Sequence, residues 1–177
     1  MPATPPRPEQ LAEQFILAMR NCLAHSAERI RHCLNQLDIE QLWWRPREDQ
    51  NSIGNLMLHL GGNLRQWIVS GVGGAPDVRR RPEEFSERGP MPKGELEGRL
   101  DQVLDEADAV LARTGPTQLV ESRRIQGSET TVLAAIVDSV SHFCGHSQEI
   151  VSLTRQQLGD AYQFHWAPKT REQGAPE

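Results

Sequence analysis

No stretch of this chain approaches the roughly 20 apolar residues that a membrane span requires, and nothing in it shows the sustained alternation of a sheet protein. Basic charge is also short: 19 Lys and Arg face 24 Asp and Glu, a formal net charge of -5. Nucleic-acid binders usually carry a concentrated basic face, so no nucleic-acid partner is expected. The one basic run, Arg79-Arg80-Arg81, lies between Pro76 and Pro82 and reads as a solvated loop. Cysteine is scarce as well. Cys22, Cys33 and Cys144 are an odd number without motif spacing, which argues against a disulfide framework and for a reducing compartment. All three fall in apolar helical stripes and read as small core residues, although Cys144 sits close to a histidine pair. The amino terminus, Met1 to Pro8, has no apolar stretch after its charge, so a cytoplasmic protein with no membrane partner is expected.

At 177 residues the chain has the length of one domain, here taken as 1–177 with flexible termini at 1–7 and 168–177. Such a length closes a core without disulfides or a structural metal. Four stretches carry helical periodicity. The first spans 8–37, with Pro8 in its first turn and Leu11, Phe15, Ala18, Cys22, Ser26, Ile30, Cys33 and Leu37 at three- and four-residue steps. The second starts at an Asn51-Ser52 cap, runs through Ile53, Leu60, Leu64 and Trp67, and ends at the glycines from Gly71. A third lies between Gly94 and Gly115. The fourth opens near Thr130, carries Leu133, Ile136, Val140, Phe143, Ile150, Leu153 and Leu158, and stops before Gly159.

Four amphipathic helices in one domain predict an all-α four-helix bundle. Residues 72–93 are too rich in proline and glycine for a helix to run through them, yet extended they reach farther than a helix of equal length. The second and third helices can then lie parallel, in an up-down-down-up order. Between the third and fourth, Gln118 to Ile125 is read as a short strand or hairpin.

Histidines carry the chemistry. His142 and His146 stand four residues apart, stacking two imidazoles about one turn apart on one side of a helix, a spacing at which both reach one metal ion. Taking about 100° per residue, His142 and His146 lie about 120° and 80° from the centre of their apolar stripe, and His59 lies about 120° from its own. All three thus sit on helix flanks, where a groove between helices meets solvent. A third imidazole makes a facial three-nitrogen site with open positions for water or substrate. The spacing also suits half-buried histidines with ordinary hydrogen bonds. His25 and His32 offer competing ligands, but about 10.5 Å of helix rise separates them, too far for both to bind one ion. His165 falls in a segment read as a tail packing its aromatics on the bundle. Asn55 and Asn63 flank His59 by one turn each and, with Trp67 and Trp44, are candidate pocket or outer-layer residues. Gln66 and Asp138 lie near the histidines and read as solvated. Glu149, three residues after His146, is the candidate general base, or a surface carboxylate.

The run Ser52-Ile53-Gly54-Asn55-Leu56-Met57-Leu58-His59-Leu60, followed by Ser141-His142-Phe143-Cys144-Gly145-His146, resembles the DinB-like (DinB/YfiT-like) superfamily of small bacterial proteins. Asn63-Leu64-Arg65-Gln66-Trp67-Ile68 and Arg123-Arg124-Ile125-Gln126-Gly127 resemble a subgroup of it without assigned function. The resemblance implies an up-down-down-up four-helix bundle, commonly a homodimer, with a divalent metal held by three histidines that match His59, His142 and His146. Its members include transferases and isomerases that use a low-molecular-weight thiol such as bacillithiol, mycothiol or glutathione, and others known only as damage-inducible or stress proteins. The expected function is therefore a zinc- or nickel-dependent thiol S-transferase acting on small electrophiles. The alternative is a non-catalytic metal-binding or stress-response bundle.

Overall fold

The computed structural model describes residues 7–167. The tails expected to be flexible lie outside the described residues apart from Arg7, whose backbone N–H donates to Gln10 Oε1 at 2.9 Å and so caps the first helix. That helix, α1, spans Pro8–Leu34. It stops three residues before the predicted end because Asp38 starts a new helix, α2 (Ile39–Trp43), by accepting the Gln41 N–H on its carboxylate at 2.8 Å. Next, α3 (Ile53–Leu64) begins at a fully buried Ser52 whose hydroxyl accepts the Asn55 N–H. Past Leu64 the same helix widens into a π-helical stretch, Arg65–Val72, which ends at the expected glycines. A Cβ on Gly71 would fall into the Ile125 side chain, so this close approach requires glycine.

The linker that follows holds a short helix, α4 (Arg81–Ser86), with Pro82 in its first turn, the position a helix tolerates. Beyond it run α5 (Lys93–Ala112) and the short α6 (Pro116–Leu119). Strands β1 (Ser122–Ile125) and β2 (Ser128–Thr131) pair antiparallel, from Ser122 opposite Thr131 to Ile125 opposite Ser128. The first strand thus falls within the predicted 118–125 segment, and the second lies beyond it. Its two-residue turn needs left-handed backbone at both positions, supplied by Gln126 (φ 52°) and Gly127 (φ 82°). The last helix, α7 (Val132–Leu158), is capped by the Thr131 hydroxyl and stopped at Gly159.

Helix contacts define the packing. Arg20 pairs with Asp108 and Arg31 with Asp101, so α1 and α5 run antiparallel. Asn63 meets Ser139 and His59 meets His142, so α3 and α7 are antiparallel too. Arg65 pairs with Glu106, and Gly73, just past the helix end, packs on Val110, a parallel relation between α3 and α5. The predicted stripes form the core: Ile30, Cys33, Leu60, Leu64, Ile136, Phe143 and Ile150 are all buried. Three members of those stripes, Leu11, Ala18 and Leu133, are exposed instead. Among the described residues no helix is long and apolar enough to cross a membrane.

Candidate functional site

The antiparallel contact of α3 and α7 brings His59 opposite His142 and His146. One ring nitrogen from each of the three lies within 4.8 Å of the other two, and among the described residues this is the only group of three or more such side chains. The rings meet edge to face, with centroids 4.5 to 5.2 Å apart. His59 is buried and the other two are half-buried.

On two of the three histidines the outer nitrogen has a partner that decides which inner one is free. His59 Nδ1 lies 2.9 Å from Glu84 Oε2, and His146 Nδ1 lies 2.6 Å from Glu149 Oε2. His59 Nδ1 also stands 3.1 Å from Arg79 Nη2, which already donates to the same Glu84 Oε2 at 2.8 Å. A lone pair facing a carboxylate is repulsive, so both Nδ1 atoms carry hydrogen, and the Nε2 lone pairs of His59 and His146 are left for a ligand. His59 Nε2 and His142 Nε2 stand 3.0 Å apart. Two bare lone pairs repel at that distance, and either a shared proton or a shared cation relieves them. A tetrahedral ion with metal–nitrogen bonds of about 2.0–2.1 Å sets its ligand nitrogens roughly 3.3 Å apart, so the residues present fit a divalent metal. The carboxylates behind two of the imidazoles are the usual outer layer of such a site.

The His59 partner comes from the linker. Glu84 is buried, and Arg79 grips it with two hydrogen bonds, Nε to Oε1 at 2.7 Å and Nη2 to Oε2 at 2.8 Å. The Arg79 side chain is only 3% exposed, so the reading of Arg79-Arg80-Arg81 as a solvated loop fails at its first residue; Arg80 is exposed as expected, and Arg81 is exposed but opens α4. Burial acts to raise the Glu84 carboxyl. Hydrogen bonds from Arg79 and His59 outweigh it and hold the group below the ordinary glutamate range. Asn55, fully buried, donates from Nδ2 to the Glu84 and Glu87 carbonyls at 2.8 and 3.0 Å, fixing the linker over α3. It acts on His59 through the position of Glu84. His142 is pushed down to about 4 by burial, with His146, His59, Arg79 and Arg81 adding to the effect. It is therefore neutral at pH 7, the form a metal binds.

Beside the histidines lies a cavity of about 360 Å³ open to solvent. His59, His142, Asn63, Trp67 and Ser139 are among the residues that line it. Asn63 Oδ1 accepts the Ser139 hydroxyl at 3.1 Å. Gln66, expected as solvated, receives Arg79 Nη1 at 2.9 Å and donates to Asp77 at 2.6 Å, tying the linker to the π-helical stretch. Trp44 is 39% exposed and is not among the residues lining this cavity; Glu149 is also outside the lining and stands behind His146. The Cys144 sulfur accepts the Ser26 hydroxyl of α1 at 3.3 Å. His32 Nε2 meets the Gln163 carbonyl at 2.6 Å, and its ring packs against His165, while His25 and His165 line a separate groove, so none of these three joins the metal-type group.

Glu84 and Arg79 are the site residues that sequence reasoning missed. Both sit in a segment without helical period, about 20–25 residues from His59, and the one available signal was a Glu-rich turn directly after the arginine run. No curated protein matches the chain. The family profile described as protein of unknown function (DUF1572) matches residues 10–171, nearly the whole chain, and the protein belongs to that family.

Proposed function

We propose that the protein is a divalent-metal enzyme of DinB-like architecture that transfers a low-molecular-weight thiol to a small electrophile. Four long helices, with α1 and α7 running one way and α3 and α5 the other, support the up-down-down-up bundle. One observation carries the metal: three ring nitrogens within 4.8 Å of one another beside an open cavity. His59, His142 and His146 would hold the ion. A zinc or nickel ion bound by three neutral imidazoles keeps its full positive charge and lowers the pKa of a bound thiol or water toward neutrality.

The chain's own residues do the rest. Glu84 and Glu149 hold two imidazoles by their outer nitrogens, which keeps the inner lone pairs aimed and their tautomers fixed. Trp67 and Asn63 shape the cavity in which both reactants must meet, and bringing them together removes much of the entropic barrier to a two-reactant step. In that step the thiol loses its proton, a carbon–sulfur bond forms, and the leaving group departs with the bonding electron pair.

The test has two stages. Elemental measurement on protein purified without a nickel column is expected to find a stoichiometric divalent metal in wild type and much less in His59→Ala. Metal-loaded protein is then assayed with thiol and electrophile pairs, and turnover unchanged in His142→Ala would remove the site from the reaction. Stoichiometric metal, a melting temperature that drops on stripping it, and no turnover with any pair would favour the non-catalytic reading.

A further inference from the structure

The cavity beside the histidines contains charge that a three-imidazole metal site does not use. Arg79 is neutralised by Glu84, but Arg81, two residues on and lining the same cavity, makes no ion pair among the described residues; its guanidinium lies over the Phe85 ring, 5.0 Å from the centroid. Asp138, one turn before His142 on α7, lines the same cavity and makes neither an ion pair nor a side-chain hydrogen bond among the described residues. A cation and an anion therefore face one cavity from two separate elements without neutralising each other. Neutral groups repeat the pattern. Asn63 uses its carbonyl oxygen on Ser139, which leaves the amide N–H groups as donors. Gln126 uses its amide nitrogen on Gln66, which leaves its carbonyl oxygen as an acceptor.

We propose that this cavity binds a small zwitterion with an α-amino-acid head group. The carboxylate goes to Arg81 and the Asn63 amide, the ammonium to Asp138 and the Gln126 carbonyl, and the ligand's side chain faces the histidines. Arg81 and Asp138 are both exposed, so a molecule with one charge incurs no burial penalty there, but it forgoes one of the two charge-assisted contacts that the zwitterion makes, which lowers its affinity relative to the zwitterion. A volume of about 360 Å³ accepts a free amino acid together with a second small reactant. The identity of the side chain as a thiol rests on the function proposed above; the head-group recognition does not.

Cobalt-substituted protein, followed by its visible spectrum, is titrated with cysteine, 3-mercaptopropionate, cysteamine and 2-mercaptoethanol. These carry both charges, the negative one, the positive one and neither. Cysteine is expected to bind about tenfold or more tightly than any of the other three. Arg81→Gln should collapse its advantage over cysteamine, and Asp138→Asn its advantage over 3-mercaptopropionate, while Arg81→Lys retains most of the first. Chelation of cobalt through sulfur and nitrogen is the same in every variant, so the differences between proteins carry the result. Cysteine ratios unchanged in both charge-removing variants, or four thiols within about twofold of one another, would overturn the head-group assignment. If no thiol perturbs the spectrum, the thiol function fails, and serine binding by calorimetry decides the head group: binding lost in Asp138→Asn supports it, and no binding in wild type overturns it.

Discussion

Replacing Glu84 by Gln tests how far the linker governs the histidines. The substitution keeps shape but removes the charge that receives His59 Nδ1–H at 2.9 Å and two Arg79 hydrogen bonds. Loss of an orienting carboxylate behind a metal-ligating histidine costs about 10–100-fold in metal affinity, or roughly 1.4–2.7 kcal/mol. A second cost falls on stability. Arg79, with a side chain 3% exposed, keeps a buried charge without its counter-charge, and breaking one side of a buried pair costs about 3–5 kcal/mol. The glutamine oxygen still accepts one hydrogen bond, so the lower end of that range is expected. The double variant Arg79→Gln, Glu84→Gln separates the two effects: no bare charge remains, so much of the stability returns, but His59 still lacks its carboxylate. Competition against a chromophoric chelator reads affinity, and urea unfolding of the metal-free protein reads stability. Affinity within twofold of wild type in Glu84→Gln would refute the orienting role. Affinity recovering together with stability in the double variant would show that the loss came from general loosening.

Two further outcomes follow from the same region. A Cβ on Gly62 would fall on Glu84 Oε1, whereas one on Gly61 meets nothing within 4 Å. Gly62→Ala should therefore lower metal affinity about tenfold as it pushes the carboxylate aside and destabilise the protein by about 1–3 kcal/mol, while Gly61→Ala stabilises it by about 0.5–1 kcal/mol; equal effects on a chelator titration would contradict the packing. The metal-free protein should also lose stability in acid. The His142 imidazole titrates near 6.5 when unfolded and about 4 when folded, so the unfolded chain takes up the proton first. Stability is then full above about 6.5 and declines as pH falls toward about 4. A melting temperature measured across that window should drop in wild type and drop less in His142→Gln; parallel curves would show that His142 carries none of the slope.

Helices were legible because their boundaries are written in short-range chemistry. Pro8, Ser52 and Gly159 mark ends by local capping and backbone preference, and the flank positions of His59, His142 and His146 follow from rotation about a single helix. The π-helical stretch was not legible, because Arg65–Val72 keeps an apolar spacing that either helix type satisfies. Nor was the hairpin's register: its turn uses Gln126 in a left-handed conformation, which glutamine rarely signals. Arg79 and Glu84 escaped for a different reason. In a segment without periodicity, burial is set by what lies across from each side chain, and that is a property of the assembled fold.

The linker's grip on His59 also runs in reverse. If docking of Glu84 strengthens metal binding by some factor, metal binding must strengthen docking of the Arg79–Glu84 segment by the same factor. Loading the site therefore shifts the local opening equilibrium of residues 75–92 by the free energy that Glu84 lends to the metal. Protease cleavage within that loop becomes a measure of occupancy, fast in metal-free protein and slow in metal-bound, and any partner that pulls the loop away would act as a release mechanism for the ion.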